Sequence, residues 1–193
     1  MRLSPFPIVR RMRSAGGKLE PMASIQASPL PPQTLLGRYA STGAYTDCYT
    51  TEVARPVSQA QYVEAFYTGG VFKLERRLLS LFLSRPSTDA QARQLAVGEL
   101  GSFSAWRVED RTANELLMCA VGGRTRSWLM VSAGPEQTTR LYFGSAVLPV
   151  PNKTTGKPSM GFVFKALLGF HRLYSRVLLG SARARLTHAA HRA

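Results

Sequence analysis

The chain has 193 residues and a formal net charge of +14, from 25 lysines and arginines against 11 aspartates and glutamates. Its length fits one domain with terminal extensions better than two domains. Apolar residues make up 45% of the sequence, which is enough for a packed core and excludes a wholly disordered chain. Two cysteines exclude a disulfide scaffold and any multi-cysteine zinc or iron–sulfur site.

The positive charge is concentrated at the two ends of the chain. Residues 1–20 carry five basic residues and one acidic residue, and residues 151–193 carry eight basic residues and no acidic one. The middle of the chain has 12 basic and 10 acidic residues, so it is nearly neutral. Any weak binding of nucleic acid or an anionic membrane is therefore expected from the ends. Solvated tails that keep the protein soluble are the simpler alternative.

One folded domain is predicted over residues 44–180. Residues 1–43 are rich in proline, serine and glycine and have neither helical nor strand periodicity, so they are predicted to be a disordered or loosely attached extension. Residues 181–193 are predicted to be a disordered basic tail. The arginine-rich start resembles an organelle transit peptide, but a start at Met22 is the simpler interpretation.

Membrane and export signals are not evident in the sequence. No segment has the roughly 20 mostly apolar residues of a membrane-spanning helix. Arg10, Arg11 and Arg13 occupy the place where a secretory signal would be apolar. The sequence therefore predicts a cytoplasmic protein in which Cys48 and Cys119 are reduced thiols. It gives no indication of the oligomeric state.

The first part of the domain is predicted to be a strand followed by short helices. Residues 45–53 are rich in tyrosine, threonine and valine, which favours a strand. Two capping boxes, Ser58–Gln61 and Thr88–Gln91, each predict the start of a short helix. Between them, the apolar residues of segment 71–82 recur at helical spacing and predict an amphipathic helix.

The pattern then changes to that of strands. Gly122 and Gly123 are a tight hairpin signal, and turn signals recur about every ten residues, which is typical of an antiparallel meander. Four strands are predicted, over residues 103–110, 115–121, 126–131 and 139–147.

The last element is predicted to be a long helix over residues 159–179 with a broad apolar stripe. A single long helix can cover one face of a curved antiparallel sheet. The sequence therefore predicts an α+β helix-grip fold. It consists of a curved antiparallel sheet of about five or more strands wrapped around the C-terminal helix, with short helices after the first strand.

This order of elements resembles the superfamily of lipid-transfer START domains, birch-pollen-allergen-like proteins and polyketide cyclases. Residues 164–179 are similar to the terminal helix of an uncharacterised bacterial family of that superfamily, and residues 123–131 and 139–145 resemble its hairpin. Members of that family also occur fused behind short-chain-dehydrogenase-like domains. This chain has no G-x-G-x-x-G motif, and no cofactor is predicted.

The resemblance implies an apolar cavity between the sheet and the long helix, for a lipid, a polyketide or another apolar or aromatic small molecule. The apolar wall residues expected are Trp128, Met130, Phe143, Phe164, Leu168 and Tyr174. The polar groups expected in the cavity are His171, Tyr142 and Arg126. The alternative is that the apolar residues fill the core and that His171 is a satisfied core histidine.

The sequence gives little support for a nucleophile, a metal site or a pair of catalytic carboxylates. The sequence has no nucleophile motif, and His188 and His191 form a poor metal pair, so no metal site is predicted. Glu109 and Asp110 are adjacent in a predicted strand and are expected to point to opposite faces. Asp47 is a lone acid in a tyrosine-rich strand, expected either in the cavity or at an edge.

Three hypotheses for the function follow. The first is a binding protein for an apolar small molecule, without strong catalysis. The second is a peripheral association protein whose basic tails contact anionic lipid or nucleic acid. The third is a cofactor-free enzyme such as a cyclase or dehydratase, with His171, Tyr142 and Arg126 as its polar groups.

Overall fold

The computed structural model describes residues 24–74, 87–151, 158–159 and 162–189. The expectations for residues 1–23 and 190–193 lie outside these ranges. So does most of the predicted helix over residues 71–82, although residues 70–74 are helical.

A seven-stranded antiparallel sheet organises the fold. Its strands are β1 (Gln26–Ala27), β2 (Tyr45–Val53), β3 (Ser102–Phe103), β4 (Trp106–Arg111), β5 (Glu115–Ala120), β6 (Thr125–Ala133) and β7 (Thr139–Val147), in the spatial order β1-β2-β7-β6-β5-β4-β3. Strands β3 to β7 form the predicted meander, with the strand predicted over residues 103–110 divided into β3 and β4, and β2 pairs with β7 along nine residues. A separate two-stranded ladder joins β8 (Val150–Pro151) to β9 (Pro158–Ser159).

Besides the helical residues 70–74, three α-helices of the described part of the chain pack on one face of this sheet. They are α1 (Gln59–Tyr67), α2 (Asp89–Val97) and α3 (Phe162–Ala189). Helix α3 packs against β2, β7 and α1, as the grip geometry requires. The predicted helix-grip fold is therefore confirmed. Among the described residues, none of the helices combines the length and apolar character needed to cross a membrane.

Local sequence signals set the ends of the short elements. The Ser58 hydroxyl accepts a hydrogen bond from the Gln61 N–H at 3.2 Å, and the Gln61 side chain accepts one from the Ser58 N–H at 3.0 Å. Thr88 and Gln91 make the same reciprocal pair, so both predicted capping boxes are confirmed. The hairpin between β5 and β6 turns at Gly122–Gly123, where both glycines have the positive φ that a tight turn demands.

The face of the sheet under the helices, which we call the helix face, carries the larger core. Phe66 of α1 lies at its centre, with ring contacts to Tyr62, Tyr67, Phe72 and Phe143 at centroid distances of 5.1–6.2 Å. The buried hydrophobic residues of this face that come from the sheet are Tyr49, Val53, Phe103, Leu116, Met118, Leu129, Val131, Leu141 and Phe143.

Residues 24–43, which we call the strap, run from the edge of the sheet onto its opposite face, which we call the strap face. At the start of the strap, β1 pairs with β2 and Ile25 packs against the helix-face core; the later residues, with a 3₁₀ helix over Gly37–Thr42, cover the strap face. Leu36 of the strap is fully buried. It packs where a Cβ on Gly144 would lie only 2.7 Å from the Leu36 Cδ2 atom, so the glycine makes room for the strap. The strap face carries Cys48, Leu117, Trp128, Met130 and Ala146.

The folded body extends past both predicted boundaries. Residues 24–43 were expected in the loose extension, but β1 pairs with β2 and Leu36 is buried. Helix α3 continues to Ala189, ten residues past the predicted end at 179, because Ala182 and Leu186 continue its buried stripe. Sequence periodicity did not reveal the strap because its contacts are made by irregular backbone.

Candidate functional site

The nine residues predicted to line one pocket are divided between the two faces of the sheet. Side chains alternate along a strand, so Tyr142 and Phe143 face opposite sides. Phe143 lies on the helix face, whereas Trp128, Met130 and Tyr142 belong to the strap-face cluster. Arg126 lies two residues before Trp128 in β6, so its side chain points to the same strap face.

The remaining predicted residues belong to α3. Tyr174 packs against the helix-face core, and Leu168 is half-buried and belongs to neither buried cluster. The side chain of Phe164 lies outside the described part of the chain. His171 is half-buried, and its imidazole meets a carboxylate and a hydroxyl from the sheet.

Those two groups come from a single pair of opposed residues. Asp47 of β2 and Ser145 of β7 are direct partners in the antiparallel ladder, and both point to the helix face. His171 lies one turn before the buried Ser175 on the inner side of α3, so it lies above this pair. We call Tyr45, Asp47, Ser145 and His171 the Asp47 cluster.

The geometry of the Asp47 cluster is tight. The Ser145 hydroxyl donates to Asp47 Oδ1 at 2.6 Å, and the Ser145 N–H donates to the same oxygen at 3.1 Å. The Nε2 atom of His171 lies 3.1 Å from Asp47 Oδ2 and 2.9 Å from the Ser145 hydroxyl oxygen. A carboxylate only accepts hydrogen bonds, so Nε2 carries the proton that it shares with Asp47.

This arrangement differs from that of a serine nucleophile. In a Ser-His-Asp triad, one imidazole nitrogen takes the serine proton and the other is held by the aspartate. Here the single atom Nε2 of His171 faces both Asp47 and Ser145, and the serine proton points to the carboxylate. The cluster therefore holds the imidazole in place and does not activate Ser145.

Tyr45 completes the cluster on its outer side. Its hydroxyl donates to Asp47 Oδ2 at 3.3 Å and accepts from Arg172 Nε at 3.4 Å, while its ring meets the His171 ring edge-on at 6.2 Å. Burial raises the pKa of Tyr45, although the hydrogen bond from Arg172 lowers it. The phenol thus remains a neutral donor at physiological pH.

The Asp47 cluster forms a polar end to an otherwise apolar surface. The next helix-face row along these strands is apolar and buried, with Tyr49, Phe143 and Leu129. In contrast, the side chain of His171 is 27% exposed and that of Asp47 is 9% exposed. The site therefore joins a buried carboxylate to an imidazole that solvent or a ligand can reach.

The strap face has its own charged groups, which contact the strap. Strand β4 has a β-bulge between Val108 and Asp110, so Glu109 and Asp110 both reach strap residues. This corrects the expectation that they point to opposite faces. Glu109 pairs with Arg126 at 2.6 Å, and Asp110 pairs with Arg38 at 2.6 Å.

A buried carboxylate also fixes the strap near its middle. Glu115 Oε2 accepts from the Leu35 N–H and from the Trp128 indole N–H, each at 2.8 Å. Cys48 lies on the same face, where burial raises the pKa of its thiol to about 12. Because Cys48 and His171 lie on opposite faces of the sheet, they do not form a thiol–imidazole pair.

A groove of about 690 Å³ lies between α1 and the end of α3, lined by Arg55, Gln61, Glu64, Ala65, Arg185, Leu186 and His188. This groove lies near the C-terminal end of α3, away from the residues that were predicted to line the ligand pocket. That pocket stays a prediction. Within the described ranges, no three histidine, cysteine or acidic side chains come together as metal ligands.

Comparisons with known proteins add a fold neighbour at low similarity. No protein-family model matches the chain, and neither does any curated protein. Among solved structures, the chain is similar to CalU16 from Micromonospora echinospora, with 12% identity and a TM-score of 0.29, over 86% of this chain and 97% of that one. At that similarity, no ligand or activity is transferred. The chain's own architecture defines it as an α+β protein of the helix-grip class.

Proposed function

We propose that this chain is a small-molecule-binding protein of the helix-grip superfamily, which holds an apolar ligand between α3 and the sheet. The observation that carries the proposal is the Asp47 cluster, in which a carboxylate that is only 9% exposed orients a partly exposed imidazole at the end of an apolar row of the sheet. Binding sites for small molecules are mostly apolar and contain a few oriented polar groups. The order of strands and helices supports the superfamily assignment.

The bonding of His171 favours a particular kind of ligand. Nε2 is engaged by Asp47 and Ser145, so Nδ1 is the nitrogen left for a ligand; no protein partner for it occurs among the described residues. A neutral imidazole accepts at Nδ1, and a protonated one donates there. The exposed Arg172 lies near this imidazole, because its Nε donates to the hydroxyl of Tyr45, whose ring contacts the His171 ring. We therefore propose an apolar molecule with a single hydroxyl or carboxyl group.

Two measurements test this proposal on the full chain. Native mass spectrometry of freshly purified protein should find a co-purified apolar molecule. Binding of the fluorescent apolar anion anilinonaphthalene sulfonate should weaken about tenfold in His171→Phe, because phenylalanine cannot donate the charge-assisted hydrogen bond that a protonated imidazole gives to the sulfonate. His188→Phe is the matched control, since His188 is an exposed histidine of the same helix. No co-purified molecule and equal affinities in both variants would refute the proposal.

A cofactor-free acid–base reaction is a second candidate, which the His171–Asp47 contact at 3.1 Å favours. An imidazole held by a carboxylate is a common general acid or base. Tyr142 and Arg126 do not contribute, because they lie on the strap face. Cyclisation of a short β-polyketone by the wild type, lost in His171→Phe and kept in His188→Phe, would support catalysis. Equal rates in all three proteins would exclude it.

A further inference from the structure

Helix α3 exposes an apolar stripe on the side that faces away from the sheet. Phe170, Leu173 and Val177 are 66%, 62% and 44% exposed. Their spacing of three and four residues places them on successive turns of one side of the helix. The buried residues Leu178, Leu179, Ala182 and Leu186 occupy the opposite side. This outer stripe therefore faces away from the sheet, and it meets the inner side of α3 where the Phe170 ring stacks on the Tyr174 ring at 5.8 Å.

Cations flank the outer stripe along one side. Arg172 and Arg176 are exposed and lie one turn apart. Both reach toward β2: Arg172 Nε donates to the Tyr45 hydroxyl, and the Arg176 guanidinium lies 5.5 Å from the centre of the Tyr49 ring. Their side chains thus follow one flank of α3. The sequence of α3 contains no aspartate or glutamate along its 28 residues.

We propose that the outer stripe of α3, with Arg172 and Arg176, docks on an anionic membrane surface. A helix that lies in the membrane interface buries an apolar face among the acyl chains and places its cations at the headgroups. Each arginine near an anionic leaflet adds attraction. This places lipid contact on the folded helix within the basic stretch 151–193, and not on the tail predicted over residues 181–193.

Charge and polarity favour a membrane over other partners. A nucleic-acid surface contacts phosphates with cations, and it gains little from exposed aliphatic side chains such as Leu173 and Val177. A second copy of the chain would bring Arg172 and Arg176 close to their own counterparts, with no acid on α3 to compensate. An anionic bilayer offers both apolar chains and negative headgroups.

Vesicle sedimentation of the full chain tests the proposal. The wild type should bind phosphatidylcholine vesicles with about 30% phosphatidylserine, and it should bind pure phosphatidylcholine at least about tenfold less. The double variant Phe170→Glu/Leu173→Glu should weaken binding to the anionic vesicles about tenfold or more. The matched control is Val97→Glu/Val121→Glu, which adds the same charge at sites that are 64% and 62% exposed. The control should weaken binding less than about threefold.

A fluorescence measurement keeps the test decisive if the double variant folds poorly. In Leu173→Trp, the new indole should enter the headgroup region, so its emission should shift to shorter wavelength with anionic vesicles. Val97→Trp should show no shift. The proposal is overturned if both tryptophan variants behave alike, or if the control double variant loses as much binding as Phe170→Glu/Leu173→Glu.

Two other occupants of the stripe have their own signatures. Loss of duplex DNA binding in Phe170→Glu/Leu173→Glu, with vesicle binding intact, would identify a nucleic-acid surface and refute the proposal. A wild-type dimer that this variant separates, seen by light scattering, would identify a self-contact and refute it as well. Native mass spectrometry of the same variant tests ligand retention independently, so the two proposals fail separately.

Discussion

The two faces of the sheet are covered in different ways. The helix face lies under α1, α2 and α3 and is filled mainly by apolar and aromatic side chains. The strap face lies under irregular backbone and contains the buried Glu115 and the Arg126–Glu109 ion pair. A helix satisfies its own backbone hydrogen bonds, so apolar side chains suffice beneath it. The irregular backbone of the strap does not satisfy its own hydrogen bonds. The sheet must therefore supply acceptors for strap N–H groups such as that of Leu35.

The same comparison explains why the Asp47 cluster is unusual. On the strap face, the buried carboxylate of Glu115 binds a backbone N–H and an indole, and it has a structural task. On the helix face, no backbone of the covering helices needs Asp47, which binds Ser145, Tyr45 and His171 instead. A polar cluster that the covering elements do not require is a good candidate for binding a ligand.

The largest effect is expected from the centre of the helix face. Phe66→Ala should lower the free energy of unfolding by about 3–5 kcal/mol, because Phe66 is buried among four other rings and the site cannot collapse easily. Phe170→Ala, at a phenylalanine of α3 that is 66% exposed, should change it by less than about 0.5 kcal/mol. Urea denaturation compares the two; equal losses would mean that Phe66 is not central to the core.

The next effect is expected on the strap face. Glu115→Ala should cost about 2–4 kcal/mol, because it leaves the Leu35 N–H and the Trp128 indole N–H buried without an acceptor. Glu115→Gln keeps one acceptor oxygen and should cost about half as much. The control Glu52→Ala removes a carboxylate that is 39% exposed and should cost at most about 1 kcal/mol.

Limited proteolysis gives a second readout for the same variants. Glu115→Ala should become sensitive to cleavage within residues 24–43, because the strap loses the contact that holds its middle. Glu52→Ala should be cleaved there at the wild-type rate. Protection of the strap in Glu115→Ala would mean that its other contacts, the buried Leu36 and the polar contacts of Arg38 and Tyr39, hold it in place without Glu115.

A smaller effect is expected at the Asp47 cluster. Asp47→Asn should lower the free energy of unfolding by about 1–2 kcal/mol, since an amide replaces a charged acceptor of Ser145 and His171. Ser145→Ala should cost about 1 kcal/mol. If Asp47→Asn stabilised the protein while it weakened binding of the apolar probe, the carboxylate would be retained for function at a cost in stability. A loss above that of Glu115→Ala would instead give Asp47 a structural role.

Much of this fold could be predicted from local sequence signals. The bounds of β2, the two capping boxes and the glycine hairpin follow from residue types that act on their immediate neighbours. The strap could not be predicted that way. Its position depends on Leu36 packing beside Gly144 and on Glu115 reaching Leu35, contacts about 80 to 110 residues apart in the chain.

The candidate site was predicted only in part. His171 was found because it is the histidine on the apolar stripe of the last helix. Ser145 was missed, and Asp47 was left open, because their pairing needs the register between β2 and β7, which adjacent residues do not encode. Strand alternation could have separated Tyr142 from Phe143 and kept Trp128 and Met130 out of the pocket. The prediction was wrong because it assumed that one face of the sheet is covered, whereas the helices cover one face and the strap covers the other.

The smallest effect is expected at the rim of the strap face. The hydrogen bond from Arg38 lowers the pKa of the Asp110 carboxyl, and the Arg111 N–H lowers it further. A folded-state pKa below the unfolded value of about 3.9 stabilises the fold above that pH, and this stabilisation is lost as the pH falls through the folded value. In Arg38→Met, the pKa of Asp110 should rise toward its ordinary value, as an NMR titration of the carboxyl carbon would show.

The effect of Arg38→Met on stability distinguishes the exposed ion pair at the rim from the buried carboxylate of Glu115. The side chains of Arg38 and Asp110 are 45% and 41% exposed, so solvent and salt screen their attraction. Arg38→Met should therefore leave the midpoint of urea denaturation close to that of the wild type at neutral pH, and added salt should remove any remaining difference. A loss as large as that of Glu115→Ala would contradict this ranking, because it would mean that the exposed ion pair holds the strap on the sheet as strongly as the buried carboxylate does.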